Sequence, residues 1–237
     1  MKLSVVIPAY NEALRLPQTL REAYPWLQEQ FDDDFELIVV DDGSTDNTVA
    51  AVEALQSEMP QLRLERQIPN GGKGAAVRRG MLAARGEIRL FMDADHSTHV
   101  RETAKVLPQI EGGAAVVIAS RQHPESVLPV RQGWLRERMG KTFNLIMRTL
   151  VGLPFADTQC GFKAFTAAAA ESLFTRQKLD GFSFDVELLW LAHRARMPVA
   201  EIPVEWINEA NSRVRLLADP LKMFRDVLLI RRLHHGE

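Results

Sequence analysis

The chain alternates short apolar runs with stretches of helical period. Residues 3–7, 35–40 and 88–92 are near-continuous apolar runs, the pattern of strands buried on both faces. Residues 62–66, 114–119 and 199–204 read as three further strands. Between them, residues 14–30 place Leu16, Leu20, Ala23 and Leu27 at helical spacing, and residues 48–59 and 100–110 read as helices too. Gly71-Gly72-Lys73-Gly74 opens a helix through Ala84. Strands alternating with helices predict an α/β fold with a mostly parallel sheet. After Arg121 the alternation fails. Residues 134–151, 184–194 and 219–233 read as helices. The first carries an apolar stripe of Leu135, Met139, Phe143, Ile146, Met147 and Leu150, and the last is amphipathic.

Composition narrows the class. The 237 residues suffice for one large domain or two small ones, and 46% hydrophobic with 25% charged residues is ordinary for a globular protein. A net charge of -2 gives no electrostatic case for nucleic acid. One cysteine, Cys160, forms no intrachain disulfide, which fits a reducing compartment. The first apolar run stops at Pro8, too short for a signal peptide, and no run reaches the roughly 18 residues of a membrane span, so membrane contact is expected to be peripheral. Two segments suit that contact. Residues 131–148 hold five basic residues against one acidic, and the tail sets Lys222, Arg225, Arg231 and Arg232 beside Leu221, Met223, Phe224, Val227, Leu228 and Ile230.

The chemistry gathers at strand ends. The first strand runs into Pro8-Ala9-Tyr10-Asn11-Glu12, the second into Asp41-Asp42-Gly43-Ser44, and the 88–92 strand into Asp93-Ala94-Asp95. In an open α/β sheet, ligands bind at the carboxyl ends of strands. Two carboxylates one residue apart there call for a cation, and Mg²⁺ or Mn²⁺ takes hard oxygens together with substrate phosphates. The glycine loop precedes a helix N-terminus, where free amides favour phosphate, and Lys73 adds a point charge. It is not a Walker A loop, because Gly74 stands where Ser or Thr is required, and the first strand lacks a dinucleotide fingerprint.

Taken together, Val5–Glu12, Val39–Asp46, Gly72-Lys73-Gly74 and Asp93-Ala94-Asp95 resemble the family 2 glycosyltransferases of GT-A fold. Asp157-Thr158-Gln159-Cys160-Gly161-Phe162-Lys163 is similar to the dolichyl-phosphate β-glucosyltransferases, relatives of dolichyl-phosphate mannose synthases; Ser120-Arg121, Phe184-Asp185-Val186-Glu187 and Asn211-Ser212-Arg213 match as well. The resemblance covers about residues 3–232 and implies a GT-A, Rossmann-like domain over 1–212, with 131–152 a candidate interfacial helix and 213–237 an amphipathic C-terminal helix. It implies that Pro8, Ala9, Tyr10, Glu12, Asp41, Asp42, Ser44, Lys73 and Asp93 bind a nucleotide-sugar donor, with Asp93 and Asp95 on a metal. Asp95, Asp157 and Arg121 take the catalytic roles, and Arg121, Arg138, Lys163 and Arg213 the acceptor phosphate. Two departures stand out. Ser97 replaces the Gln that mannose synthases carry two residues after the second Asp, and Arg213 replaces a lysine.

The activity implied is a metal-dependent, inverting transfer of a hexose, glucose from UDP-glucose, to a polyprenyl phosphate at the cytoplasmic face of a membrane. A GDP-mannose donor, a saccharide acceptor, nucleotidyl transfer, or binding without catalysis are the rivals. A phosphate monoester is mostly dianionic at pH 7 and needs positive charge more than a general base; Asp157 is left as either an orienting group or a base. His96 and His99 read as solvated loop residues, His234 and His235 as tail, Cys160 as packing, and Trp190 and Trp206 as core.

Overall fold

The structure is a computed structural model, described for residues 1–129, 145, 149–207 and 218–235, with 218–222 as backbone only. The elements run β1 (Leu3–Ala9), α1 (Leu16–Phe31), β2 (Phe35–Asp41), α2 (Thr48–Leu55), β3 (Leu62–Arg66), α3 (Lys73–Ala83), β4 (Ile88–Met92), a 3₁₀ turn Val100–Glu102 leading into α4 (Thr103–Glu111), β5 (Val116–Ser120), β6 (Phe162–Thr166), α5 (Ala167–Arg176), α6 (Phe184–Arg194), β7 (Val199–Pro203) and α7 (Ala218–Leu233). The described strands form one sheet in the order β3-β2-β1-β4-β6-β5-β7. All pairings are parallel except those of β6, which lies antiparallel between β4 and β5.

The central strands β1 and β2 are buried along nearly their whole length because helices cover both sides of the sheet. Leu3, Val5, Ile7, Leu37 and Val39 face one core with Leu16, Leu20 and Leu27 of α1. Val6, Ile38, Val40 and Phe91 face another with α3, α5 and α6. Register places the candidate chemistry on one rim: Ala9 pairs with Asp41, and Val6 with Phe91.

Three expectations change. Helix α2 ends at Leu55 rather than at residue 59. Strand β6 and helix α5 were not expected; β6 pairs Lys163 with Phe91 and so sets the Asp157–Lys163 stretch beside the acidic motif. The tail is no loose end: Val227 and Ile230 join the second core, and His234 is 2% exposed. The predicted 134–151 helix falls mostly outside the described residues.

Candidate active site

At the rim the acidic residues have different partners. The Asp42 carboxylate, 3% exposed, accepts from Gly71 N at 2.7 Å, Gly72 N at 2.9 Å and Gln67 Nε2 at 2.7 Å. Gly74 N donates to the Asp180 carbonyl at 2.8 Å and Ala75 N at 3.3 Å. The Gly71, Gly72, Gly74 and Ala75 amides, expected to await phosphate, are therefore already engaged, and Asp42 builds the loop. Gly72 has φ +99 and a Cβ there would lie 2.5 Å from the Asp180 carbonyl oxygen, so only glycine lets the chain pass. Asp41, 1% exposed, accepts from Ser44 N at 3.2 Å. Asn11 accepts from Thr45 N at 2.7 Å, and Ser44 Oγ takes the Asn11 N–H at 2.8 Å, which ties the two strand-end loops together. Glu12 is buried and holds Arg15 through a two-bonded fork of 2.8 and 2.6 Å. Tyr10, beyond Pro8 and Ala9, is 41% exposed and free to face a ligand.

The acidic motif follows β4. Lys73 Nζ lies 2.5 Å from Asp93 Oδ1. Burial opposes the lysine's charge, but Asp93, Asp185 and Asp95 hold it well above the ordinary lysine range. Asp95 accepts one bond, from Ser97 N at 3.1 Å. Asp93 N also donates to Gly161 O at 3.1 Å, which continues the β4–β6 ladder to the motif.

On the other side of the rim, Arg121 grips Asp157. Its Nε and Nη2 donate at 2.7 and 2.9 Å, its own N–H adds 3.1 Å, and Gln159 N donates at 3.1 Å. Burial raises the acid's pKa, yet Arg121 outweighs it and holds Asp157 down at about 2. A carboxylate so held is a poor base at neutral pH. Arg121 remains 31% exposed and lies over Trp206, 5.6 Å from the ring centre.

Lys163 departs from its expected place. Its side chain is 0% exposed, and Nζ donates to Asp185 Oδ1 and to the Cys160 carbonyl, both at 2.6 Å, under the Phe91 ring. The ammonium is satisfied inside the fold and presents no face to an acceptor phosphate. Its partner Asp185, in the first turn of α6, was matched in sequence without a role; burial raises its pKa against the pull of Lys163 and Lys73. An acid at a helix start opposite a buried lysine is the signal that could have found it. Cys160 is buried, and burial pushes its thiol up to about 11, which fits packing rather than nucleophilic attack. Arg138 and Arg213 lie outside the described residues.

Two bland readings also change. His234 Nε2 sits 2.7 Å from Glu187 Oε1 with both side chains fully buried, so it anchors α7. His96 is paired with Glu22 at 2.9 Å rather than solvated.

The rim therefore offers two engaged strand-end loops, an acidic pair with one exchangeable cation, and an arginine beside them. Comparison with known proteins identifies it. The sequence model of Glycosyl transferase family 2 matches residues 4–174. Dolichyl-phosphate β-glucosyltransferase of Dictyostelium discoideum is 36% identical over 97% of this chain and 73% of its own length; that of Homo sapiens is 35% identical over 97% and 75%. Glucosyl-3-phosphoglycerate synthase from Mycobacterium tuberculosis, solved with Mn²⁺, UDP and glucosyl-3-phosphoglycerate, superposes with a TM-score of 0.71 at 23% identity, over 97% of this chain and 78% of that one, a GT-A fold in common. The chain belongs to glycosyl transferase family 2, as a glycosyltransferase related to the dolichyl-phosphate β-glucosyltransferases.

Proposed function

We propose that the protein transfers glucose from UDP-glucose to a polyprenyl phosphate with inversion at the anomeric carbon. The observation that carries this reading is the Arg121–Asp157 fork, read beside the named activity of the relatives. With Asp157 held near 2, it is no base for a sugar hydroxyl, and a phosphate dianion needs none. An acceptor phosphate oxygen attacks C1 of glucose. The C1–oxygen bond to the diphosphate breaks, and its electron pair leaves with UDP, so no proton changes hands.

The chain's residues divide that work. The loops after β1 and β2 hold the nucleotide, with Tyr10 on its base and Asp41, Asp42 and Glu12 supporting the loop shapes. Arg121, with Nε and Nη2 committed to Asp157, turns Nη1 toward the acceptor phosphate; Lys73 meets the departing diphosphate. Asp157 orients Arg121, and Lys163 acts from beneath through Asp185. Asp93 and Asp95 fit a divalent ion, Mg²⁺ or Mn²⁺: both are hard oxygen donors, and a cation, the Lys73 ammonium, already sits on one of them. Such an ion supplies charge neutralisation at the leaving diphosphate.

No helix among the described residues is long and apolar enough to cross a membrane. Helix α7 packs Met223, Val227 and Ile230 inward and leaves Phe224 at 40% and Leu228 at 50% exposed beside Arg225. That face suits the surface of an anionic membrane on its cytoplasmic side, where a lipid acceptor lies. Transfer assays with radiolabelled UDP-glucose, GDP-mannose and a short, water-soluble prenyl phosphate test the reading. Glucosyl phosphoprenol and UDP are expected; mannose transfer, or transfer only to a saccharide, overturns it.

A further inference from the structure

Beside the acidic motif, and pointing to a different ligand, is a cluster of two imidazoles and a carboxylate. Glu22 stands on α1; Gln18 donates to its Oε1 at 2.8 Å, leaving Oε2 against His96 Nε2 at 2.9 Å. The His96 and His99 rings meet edge to face, 4.6 Å between centroids. One ligand atom from each of Glu22, His96 and His99 lies within 4.8 Å of the others. His96 Nδ1 is buried without a partner, while Nε2 is the nitrogen that faces Glu22.

We propose that Glu22, His96 and His99 form a second cation site, for a transition-metal ion of the Zn²⁺ class, separate from Asp93 and Asp95. Two neutral nitrogens and one carboxylate, with a fourth position for water, suit such an ion and do not suit Mg²⁺. Four donors around Zn²⁺ at roughly 2.0–2.1 Å stand about 3.3 Å apart, so side-chain rotation from the present spacing closes the site. The ion takes the place of the proton between His96 Nε2 and Glu22, and that proton moves to Nδ1 of the same ring. It costs His99 the bond its Nδ1 accepts from the Arg101 amide at 3.0 Å, because the remaining ring proton moves to that nitrogen.

The position has a consequence. His96 follows Asp95 directly, and Thr19 of α1 already donates to the Ala94 carbonyl at 2.8 Å. An ion spanning Glu22 and the two histidines adds a second tie between α1 and the acidic loop, so it holds Asp95 in one place.

The test is binding, independent of any transfer reaction. The full chain is stripped of metal, given excess Mg²⁺ to fill hard oxygen sites, and titrated with Zn²⁺ against a chromogenic indicator. One Zn²⁺ per chain is expected. Glu22→Gln and His99→Gln should each weaken it at least about tenfold, the loss that even an outer partner's removal causes, with unchanged circular dichroism. Asp95→Asn should retain it, and Co²⁺ in its place should show the visible absorption of nitrogen ligation. Absence of stoichiometric Zn²⁺, wild-type affinity in both the exposed Glu22→Gln variant and His99→Gln, or loss of binding in Asp95→Asn overturns the proposal; the first two leave Glu22 and His96 a plain ion pair, and the last moves the ion to the acidic motif.

Discussion

Replacing Gly161 by alanine should disable the enzyme through one methyl group. A Cβ on Gly161 would stand 2.0 Å from Asp93 Oδ2, 2.4 Å from Cγ and 2.6 Å from Oδ1, whereas ordinary contact begins at 3.4 Å. The carboxylate must therefore retreat by about 1.4 Å, taking 3.4 Å as the contact distance. It cannot do so freely. The Asp93 amide is bonded to the Gly161 carbonyl at 3.1 Å, so the two backbones stay together, and Lys73 holds the carboxylate at 2.5 Å. The side chain swings off Lys73, or the end of the β4–β6 ladder opens. Misplacing a reacting group by about 1 Å costs on the order of 100-fold in rate, while overpacking costs roughly 1–3 kcal/mol of stability. Gly161→Ala should thus lower kcat about 100-fold in a protein that still unfolds cooperatively in urea. Adding Asp93→Asn should cost little more than Asp93→Asn alone, because both changes act on one group. A Gly161→Ala enzyme with wild-type turnover, or strict additivity in the double variant, would refute the reasoning.

Other predictions follow from the same geometry. Asp157→Asn should cost about 3 kcal/mol at pH 7, the low end for stranding a buried charge, since Arg121 keeps part of its surface in water. Because Asp157 falls from an ordinary 3.8 to about 2 on folding, its contribution is complete above pH 3.8 and disappears as pH drops through 2; urea melts of both proteins should converge there, and a constant gap would sink the account. Asp95→Ala, like EDTA treatment, should abolish transfer with the fold intact; full activity in either contradicts the metal role. His234→Ala should lower stability by roughly 2–3 kcal/mol, since Glu187 keeps only the Lys178 and Leu179 amides, each at 2.9 Å; an unchanged melting temperature would show that α7 docks without it. Phe224→Ser with Leu228→Ser should weaken liposome flotation and spare transfer to a short prenyl phosphate, and equal flotation would leave α7 a structural helix only.

Strands β1, β2 and β4 were legible because they are near-continuous apolar runs, a pattern that needs no long-range information. Strand β6 was not, because Lys163 interrupts Phe162-Lys163-Ala164-Phe165 and marks it as surface. Only Asp185, 22 residues on, makes burial of that lysine tolerable. The glycine loop misled for the same reason. Its amides look free in a local window, and the Asp42 carboxylate that takes them lies 29 and 30 residues upstream. His234 looked like a frayed end until Glu187 closed on it. Motifs placed the rim; pairings across the chain decided what each side chain could still do there.

That distinction sorts the carboxylates, which in sequence look interchangeable. Asp42 is committed to two backbone amides and Asp157 to an arginine fork, the backbone amides of Arg121 and Gln159. A cation at either would compete with bonds that shape the fold. Asp185 is tied to a lysine with no exposure at all. Asp93 differs, for its partner is a lysine at the end of a flexible stem, and Asp95 differs further, with one amide on one oxygen. A divalent ion there would compete with an ammonium rather than with a backbone amide of the scaffold. The acidic pair after β4 is thus the pair of carboxylates on this rim least committed to the fold, which is why the proposed metal is placed there.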